Sequence, residues 1–446
     1  MITKPKGTKD VYGIDSRKWQ YVEDMVSTVL EKYNYNLIKL PLFESSELFH
    51  RGVGETTDIV SKETYDFVDR GNREMTLRPE GTAGVVRSFI ENKMYGDNLP
   101  QKLFYIGPMY RYERPQKGRY REFYQFGIEL LGSDDEMADA EVISVAYNIF
   151  KMLGLSNLKV NLNSLGDKES RENYRDKLIK YIEPHIDELC EDCKERFKKN
   201  PLRILDCKVD ANNPILKDVP TTIDSLNKES KERLDKVCEY LDILKIPYEI
   251  NTHMVRGIDY YNHIVFEIED LNKEMGSQNV IAAGGRYNNL VKDLGGPDTP
   301  CVGFASGIDR VLLALDMEGN DLPINDSIDL FLMYVNDEEK DYALYLTQEL
   351  RLAGFKVDTE YLGRSLKSQF KQADRLNAKF TIVLNSEDLD NNELKIKNNK
   401  TKEEEMISVE ALIYYLDENL DEEEECHCGH DHETCTCGDE CHCHDE

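Results

Sequence analysis

The residues through which this sequence could do chemistry are arginines rather than a nucleophile. Arg111 and Arg119 lie in one stretch, YIGPMYRYERPQKGRYREFYQFGIE, together with Glu113, Arg114, Lys117 and Arg121 around a Pro-Gln-Lys-Gly turn. Arg256 precedes Gly257, and Arg310 opens a helix in GFASGIDR. A planar guanidinium grips two phosphate oxygens at once, and sheet strands hold it rigidly. Four arginines at strand ends in one domain therefore point to a shared site for a large anion. The competing reading of the basic turn is an ordinary solvated hairpin tip. Neither a GxxxxGK[ST] loop nor a GxGxxG turn occurs, and no Cys–His or Ser–His pair stands out. Phosphate chemistry would have to run through arginines on a sheet.

The elements needed to position them follow from periodicity. The run 103–106 reads as a buried strand, and Phe123, Phe126 and Ile128, alternating with polar residues, read as the strand returning from the turn. Before it come a helix over 15–33, a short strand at 37–40 and a helical turn at 46–51. A mobile Gly-rich loop and a hairpin of strands 64–69 and 73–77 follow. Leu77 to Thr82 forms a turn into a helix ending near Ile90. Its Glu80 and Thr82 could face a ligand or simply begin the helix. After the basic stretch, 134–153 reads as an amphipathic helix and 158–162 as a strand. Charged helices then interrupt the sheet pattern over about 166–228, as an inserted domain would. Sheet patterning resumes at 248–251 and through 254–267, then at 280–287 and 301–306. Beyond a linker at 316–327, strands and helices alternate as βαβαβ, followed by a hairpin near Asn398 and a last helix. That order predicts a small α/β domain.

Composition bounds the classes. The chain has 446 residues, 40% hydrophobic and 32% charged, which suits a globular protein of two to four domains. Net charge is −30, and the last 26 residues carry eleven acids with no Lys or Arg. Bulk charge argues against non-specific binding to nucleic acid or anionic membrane, leaving local patches to act within a Debye length of about 8–10 Å. No apolar run approaches the about 20 residues of a membrane helix, and the N-terminus is not a secretory signal. Five cysteines are scattered through the body and six crowd the tail. This pattern points to a reducing, cytoplasmic setting.

These segments, taken together, resemble the histidyl-tRNA synthetase family of class II aminoacyl-tRNA synthetases over about residues 6–416. FYIGPMYRYERPQKGRYREFYQFGIE resembles the motif 2 of that class and GFASGIDR its motif 3. RGIDYYNHIVFE and AAGGRYNNLV resemble two histidine-specific signatures, and GTKDVYG with LPLFESSELF the motif 1 region. The resemblance implies an α+β fold. It comprises an antiparallel sheet flanked by helices (1–325, insertion about 166–228), an α/β anticodon-binding domain (328–420) and, outside the family pattern, an acidic tail (421–446). It also implies a homodimer joined through motif 1. The implied partners are ATP with Mg2+ on its phosphates, L-histidine and tRNA(His). The implied reaction forms histidyl-adenylate and then transfers histidyl to tRNA. By resemblance, Arg111 holds the α-phosphate, Glu113 the adenine edge and Arg119 the terminal phosphates, while Phe123 and Arg310 sandwich the ring. Arg256 is a fixed cation across the α-phosphate. Glu80, Thr82 and Gln125 would hold the α-amino group, Glu129 and Tyr261 the imidazole, with Tyr260 and Tyr287 as walls. A catalytically silent paralogue, such as a regulatory subunit of ATP phosphoribosyltransferase, would keep the fold without needing the histidine signature.

Two features fall outside that pattern. Cys190, Cys193 and Cys207 hint at a zinc ribbon or are simply buried or free thiols. No fourth thiolate or imidazole follows at fitting spacing, and Asp210 and Asn212 are weaker ligands. The tail presents Cys426, His427, Cys428, Cys435, Cys437, Cys441 and Cys443 in a segment with no apolar core. This composition suits soft ions such as zinc or copper. Lys367, Lys371 and Arg375 share a face of a C-terminal helix, which suits either a tRNA contact or a solvated surface.

Overall fold

The computed structural model describes residues 1–421 apart from 55–56, 206, 208, 211 and 257. Within them the chain divides between Pro323 and Ile324 into two units.

Alternation along strands builds the first unit. Eight strands lie side by side in the order Asn36–Leu37, Gln101–Tyr110, Glu122–Leu131, Cys301–Gly307, Val280–Arg286, Asn262–Asp270, Leu158–Ser164 and Tyr248–Ile250. The inner pairings are antiparallel, and the two short edge strands pair parallel. Successive side chains point to opposite faces. One face carries Phe104, Phe126, Ile128, Phe266, Ile268 and Phe304, which pack against the helices Ile14–Lys32, Glu136–Met152 and Ile308–Glu318 as the main core. The other face carries Gly107, Gly127, Gly303 and Ala305 in register with Gln125, Tyr105, Glu129 and Ala283. Small residues there leave room above the sheet. A Cβ on Gly303 would come within 2.4 Å of the Ile128 carbonyl, and one on Gly127 within 2.7 Å of the Phe304 carbonyl.

That register also sorts the aromatic residues of the returning strand. Phe123 pairs with Met109 and stands on the small-residue face, opposite to Phe126 and Ile128. Residue 123 is odd-numbered where the core residues are even, so it cannot share their side.

The hairpin Tyr65–Val68 with Glu74–Leu77 forms as expected, and Phe43–Ser45 adds a third strand. The segment read as a mobile loop instead coils into π-helical turns, His50–Gly54 and Ile59–Glu63. Val53, Ile59 and Val60 bury against Leu48, Phe49 and Ala83, which anchors these two turns. Among the described residues of 254–261 the pattern does not become strand. Asn163 Nδ2 donates to the Met254 carbonyl at 2.9 Å, and Arg171 Nη1 donates to that of Tyr261 at 3.2 Å. Side chains thus take bonds that a neighbouring strand would have taken. The insertion has its own small core around Tyr174, Leu178, Ile182, Cys193 and Ile204.

The second unit is a five-stranded mixed sheet in the order Val357–Thr359, Leu330–Tyr334, Phe380–Leu384, Glu393–Asn398 and Glu404–Ser408. The first three strands are parallel, with helices Asp337–Leu352 and Leu366–Arg375 as crossovers. The last helix, Leu412–Asp421, starts later than expected, after a 3₁₀ turn at Val409–Ala411. The tail ligands Cys426, His427, Cys428, Cys435, Cys437, Cys441 and Cys443 lie outside the described residues. Among the described residues no helix is long and apolar enough to cross a membrane.

Candidate active site

The small-residue face floors a cleft of about 590 Å³. Arg111 and Arg119 from the hairpin stretch, Arg256 and Arg310 all line it, drawn from three separate segments. Arg111 leaves the end of the strand Gln101–Tyr110; its Nε is held by the Pro79 carbonyl at 2.9 Å, and its guanidinium carbon lies 5.3 Å from the Phe123 ring centre. Arg119 pairs with Glu113, and Arg256 pairs with Glu267. Arg310 sits in the first turn of its helix and donates to the Val280 carbonyl at 2.9 Å. Burial, then the fields of Arg119, Arg111 and Arg256, push its pKa down to about 10. Burial likewise lowers Arg111 and Arg119. Crowded, partly desolvated cations of this kind make a strong anion site.

The six charges of the basic turn divide. Arg111, Glu113 and Arg119 face the cleft, while Arg114 and Lys117 are exposed. Arg121 stacks on Tyr112 at 3.8 Å, and its backbone amide donates at 2.7 Å to the carbonyl of Gly7, in the GTKDVYG segment.

Beside the arginines is a recess built from buried carboxyls and tyrosines. Glu80 accepts from the Thr82 and Ala83 amides at 2.7 and 2.8 Å, so it opens the helix Thr82–Glu91 while also lining the cleft. Thr82 donates to Glu129 Oε1 at 2.7 Å, and the Tyr287 hydroxyl donates to Oε2. Glu129 is 1% exposed, and burial pushes it up to about 8 against the pull of those two bonds. Tyr260 packs against Tyr261 and Tyr287, with ring centres 4.7 and 5.5 Å away. Burial lifts Tyr261 to about 12. Gln125 Oε1 is buried without a partner, available to a donor. The structure therefore gathers Glu80, Thr82, Gln125, Tyr260 and Tyr261 on the cleft, with Glu129 and Tyr287 beneath them.

Three participants escaped the sequence reading. Tyr105 stands across from Gly127, buried, with its hydroxyl unpartnered in the recess. A polar aromatic in an otherwise apolar strand was its only signal. Glu267 ends the RGIDYYNHIVFE segment and ties down Arg256, a pairing visible only after folding. Asp309, next to Arg310, is buried and holds Lys9, whose ammonium lies 4.7 and 4.9 Å from the Trp19 and Tyr120 ring centres.

An antiparallel sheet floored with glycine, an arginine-lined cleft and a motif 2 hairpin together define a class II aminoacyl-tRNA synthetase. The family model for histidyl-tRNA synthetase matches residues 7–311, and that for an anticodon binding domain matches residues 329–419. The chain belongs to the histidyl-tRNA synthetase family, a family of ligases. It is 48% identical over 418 residues to the histidine–tRNA ligase of Bacillus licheniformis, covering 94% of this chain and 99% of that protein. It is 49% identical over 417 residues to the enzyme of the same name from a Geobacillus species, covering 93% and 99%. The apo histidyl-tRNA synthetase of S. aureus superposes with a TM-score of 0.81 at 43% identity, covering 93% of this chain and all of that one.

Proposed function

We propose that the cleft activates L-histidine with ATP and passes it to tRNA(His). The histidine carboxylate attacks the α-phosphate of ATP, and the bond to the β-phosphate breaks to release pyrophosphate. A terminal ribose hydroxyl of the tRNA then attacks the histidyl carbonyl and displaces AMP. The observation that carries this reading is the convergence of four arginines on one side of a buried Glu–Tyr recess.

Each residue acts by position and charge rather than by bond formation. Arg111 and Arg256 hold the α-phosphate from opposite sides, Arg119 the terminal phosphates, and Glu113 the adenine amino edge. Both carboxylate pairs, Arg119–Glu113 and Arg256–Glu267, exchange part of their bonding for the nucleotide. Phe123 and Arg310 stack on the adenine, which a planar guanidinium can do. Mg2+ carried on the phosphates would neutralise the leaving pyrophosphate, with the Glu63 carboxylate in the cleft lining as a hard oxygen donor for it. Gln125, Glu80 and Thr82 surround the α-amino group. Glu129 and Tyr261 address the two imidazole nitrogens, and an amino acid lacking them leaves buried polar groups unpaired.

Histidine-dependent exchange of pyrophosphate into ATP, followed by charging of tRNA(His), is the deciding assay. Exchange driven equally by other amino acids, or absent, removes the reading. The homodimer rests on motif 1 and on the exposed Leu37, Leu42, Phe43, Phe67 and Val68 of the same region; a monomer in sedimentation would exclude it. The tail's soft-metal role rests on composition alone. It fails if serine at its six cysteines leaves metal uptake by the full chain unchanged.

A further inference from the structure

Outside the cleft, a cluster of thiols forms in the insertion. Cys190 caps the helix Glu191–Lys199, Cys193 lies in its first turn, and Cys207 and Asp210 come from the turn beyond Pro201–Ile204. The three sulfurs and one Asp210 carboxylate oxygen all lie within 4.8 Å of one another. Cys190 Sγ is 3.6 Å from Cys207 Sγ, and Cys207 Sγ is 3.8 Å from Asp210 Oδ2. Four-coordinate zinc with Zn–S of about 2.3 Å and Zn–O of about 2.0 Å sets tetrahedral edges of roughly 3.8 Å between sulfurs and 3.5 Å from sulfur to oxygen. The two observed edges lie within about 0.3 Å of these values, and no edge of the cluster exceeds 4.8 Å.

The surroundings are those of a closed site. Cys193, Cys207 and Asp210 are buried. The Asp210 amide donates to Cys207 Sγ at 3.5 Å, and the Cys190 amide donates to Asp210 Oδ2 at 2.9 Å. These bonds orient the donors as outer-shell partners orient metal ligands. Among the described residues no cation pairs with Asp210, so its buried charge faces only thiols and an amide. The spacing is Cys-x2-Cys-x13-Cys-x2-Asp, two paired ligand turns of the kind zinc ribbons use, with the last thiolate replaced by carboxylate. Sequence alone undervalued Asp210, because its fitness depends on where the turn brings it.

We propose that Cys190, Cys193, Cys207 and Asp210 bind one structural zinc ion. The ion staples the helix Glu191–Lys199 to the turn after Ile204. That unit reaches the catalytic segments: Arg196 donates to Asp58 Oδ2 at 2.9 Å, and Asn200 donates to Asp259 Oδ1 at 3.1 Å. Zinc therefore holds the insertion's edge against the cleft that Cys207, Arg196 and Arg203 help to line.

The test uses the full chain with serine at its six tail cysteines, so that tail binding does not enter the count. After zinc loading and gel filtration, elemental analysis is expected to find about one zinc per chain. Cobalt loading is expected to give the visible absorption of a tetrahedral thiolate site. Cys193→Ser and the near-isosteric Asp210→Asn each lower zinc retention at least tenfold. Cys238→Ser, a thiol outside the cluster, leaves it unchanged. A strong chelator exposes residues around 183–225 to protease in the parent chain. Zinc-free protein with freely titrating thiols, a Cys190–Cys207 disulfide in place of the metal, or retention unaffected by both Cys193→Ser and Asp210→Asn would overturn the proposal.

Discussion

Arg256→Ala isolates the step on which the catalytic reading depends. Arg256 lines the cleft with one guanidinium nitrogen on Glu267 and belongs to the charge cluster that depresses Arg310. In the proposed reaction it faces a phosphorane that gains negative charge in the transition state. A unit charge at about 4 Å in an effective dielectric of about 20 contributes about 4 kcal/mol. At about 1.4 kcal/mol per decade, its loss lowers the exchange rate roughly a thousandfold. The histidine KM rises less, by under about tenfold, because the recess formed by Glu80, Thr82, Gln125 and Glu129 remains. Alanine also frees the Glu267 carboxylate beside the phosphates, which alone could slow the reaction. The double variant Arg256→Ala with Glu267→Gln removes that repulsion and is expected to stay within about tenfold of the single variant. Arg256→Lys restores charge but not the planar fork, so it recovers only part of the rate. The assay is histidine-dependent ATP–pyrophosphate exchange, with a thermal melt to confirm folding. Exchange within tenfold of the parent, or near-full recovery in the double variant, would refute the role given to this arginine.

The buried carboxylate gives a pH signature. Because burial raises Glu129 to about 8 from an unfolded value near 4.5, the native state binds more protons between those values, and its stability falls as pH rises through them. Over pH 5–8 this amounts to on the order of 4 kcal/mol. Glu129→Gln should remove that slope in urea unfolding and cut exchange sharply; an unchanged slope contradicts the shift. Arg286 is wholly buried on Asp139, at 2.9 and 2.7 Å, and serves the fold rather than the cleft. Arg286→Met strands Asp139, with Arg233 at 3.7 Å as partial compensation, so a loss of about 3 kcal/mol is expected. A second change, Asp139→Leu, should restore most of it. Lys367, Lys371 and Arg375 are exposed along one face of the helix Leu366–Arg375. Reversing these charges should lower tRNA charging and leave exchange intact; unchanged charging makes that face a plain solvated surface.

The elements were largely legible because their signals are local. The 3.6-residue stripe of Trp19, Val22, Val26 and Leu30 specifies the first helix, and the alternation around Phe126 and Ile128 specifies the returning strand. Misreadings occurred where local pattern and long-range partners disagree. The stretch around 254–261 looks strand-like, but the Met254 carbonyl goes to Asn163 and those of Asp259 and Tyr261 to Arg171. The glycine-bearing loop after Arg51 looks mobile but is anchored by Val53, Ile59 and Val60.

By itself the sequence determined the side chains available: arginines in place of a nucleophile, and motif wording that names a family. Tertiary structure alone decided which groups meet. Sheet register placed Phe123 with Gln125 and Glu129 on the cleft face. Folding across 158 residues brought Tyr287 to Glu129, and across 11 it set Arg256 on Glu267. It also turned Asp210 toward three sulfurs. Side-chain type is written residue by residue, but a hydrogen bond or a coordination shell depends on distances of a few ångströms. Those distances arise only when strand pairing and core packing have settled the backbone.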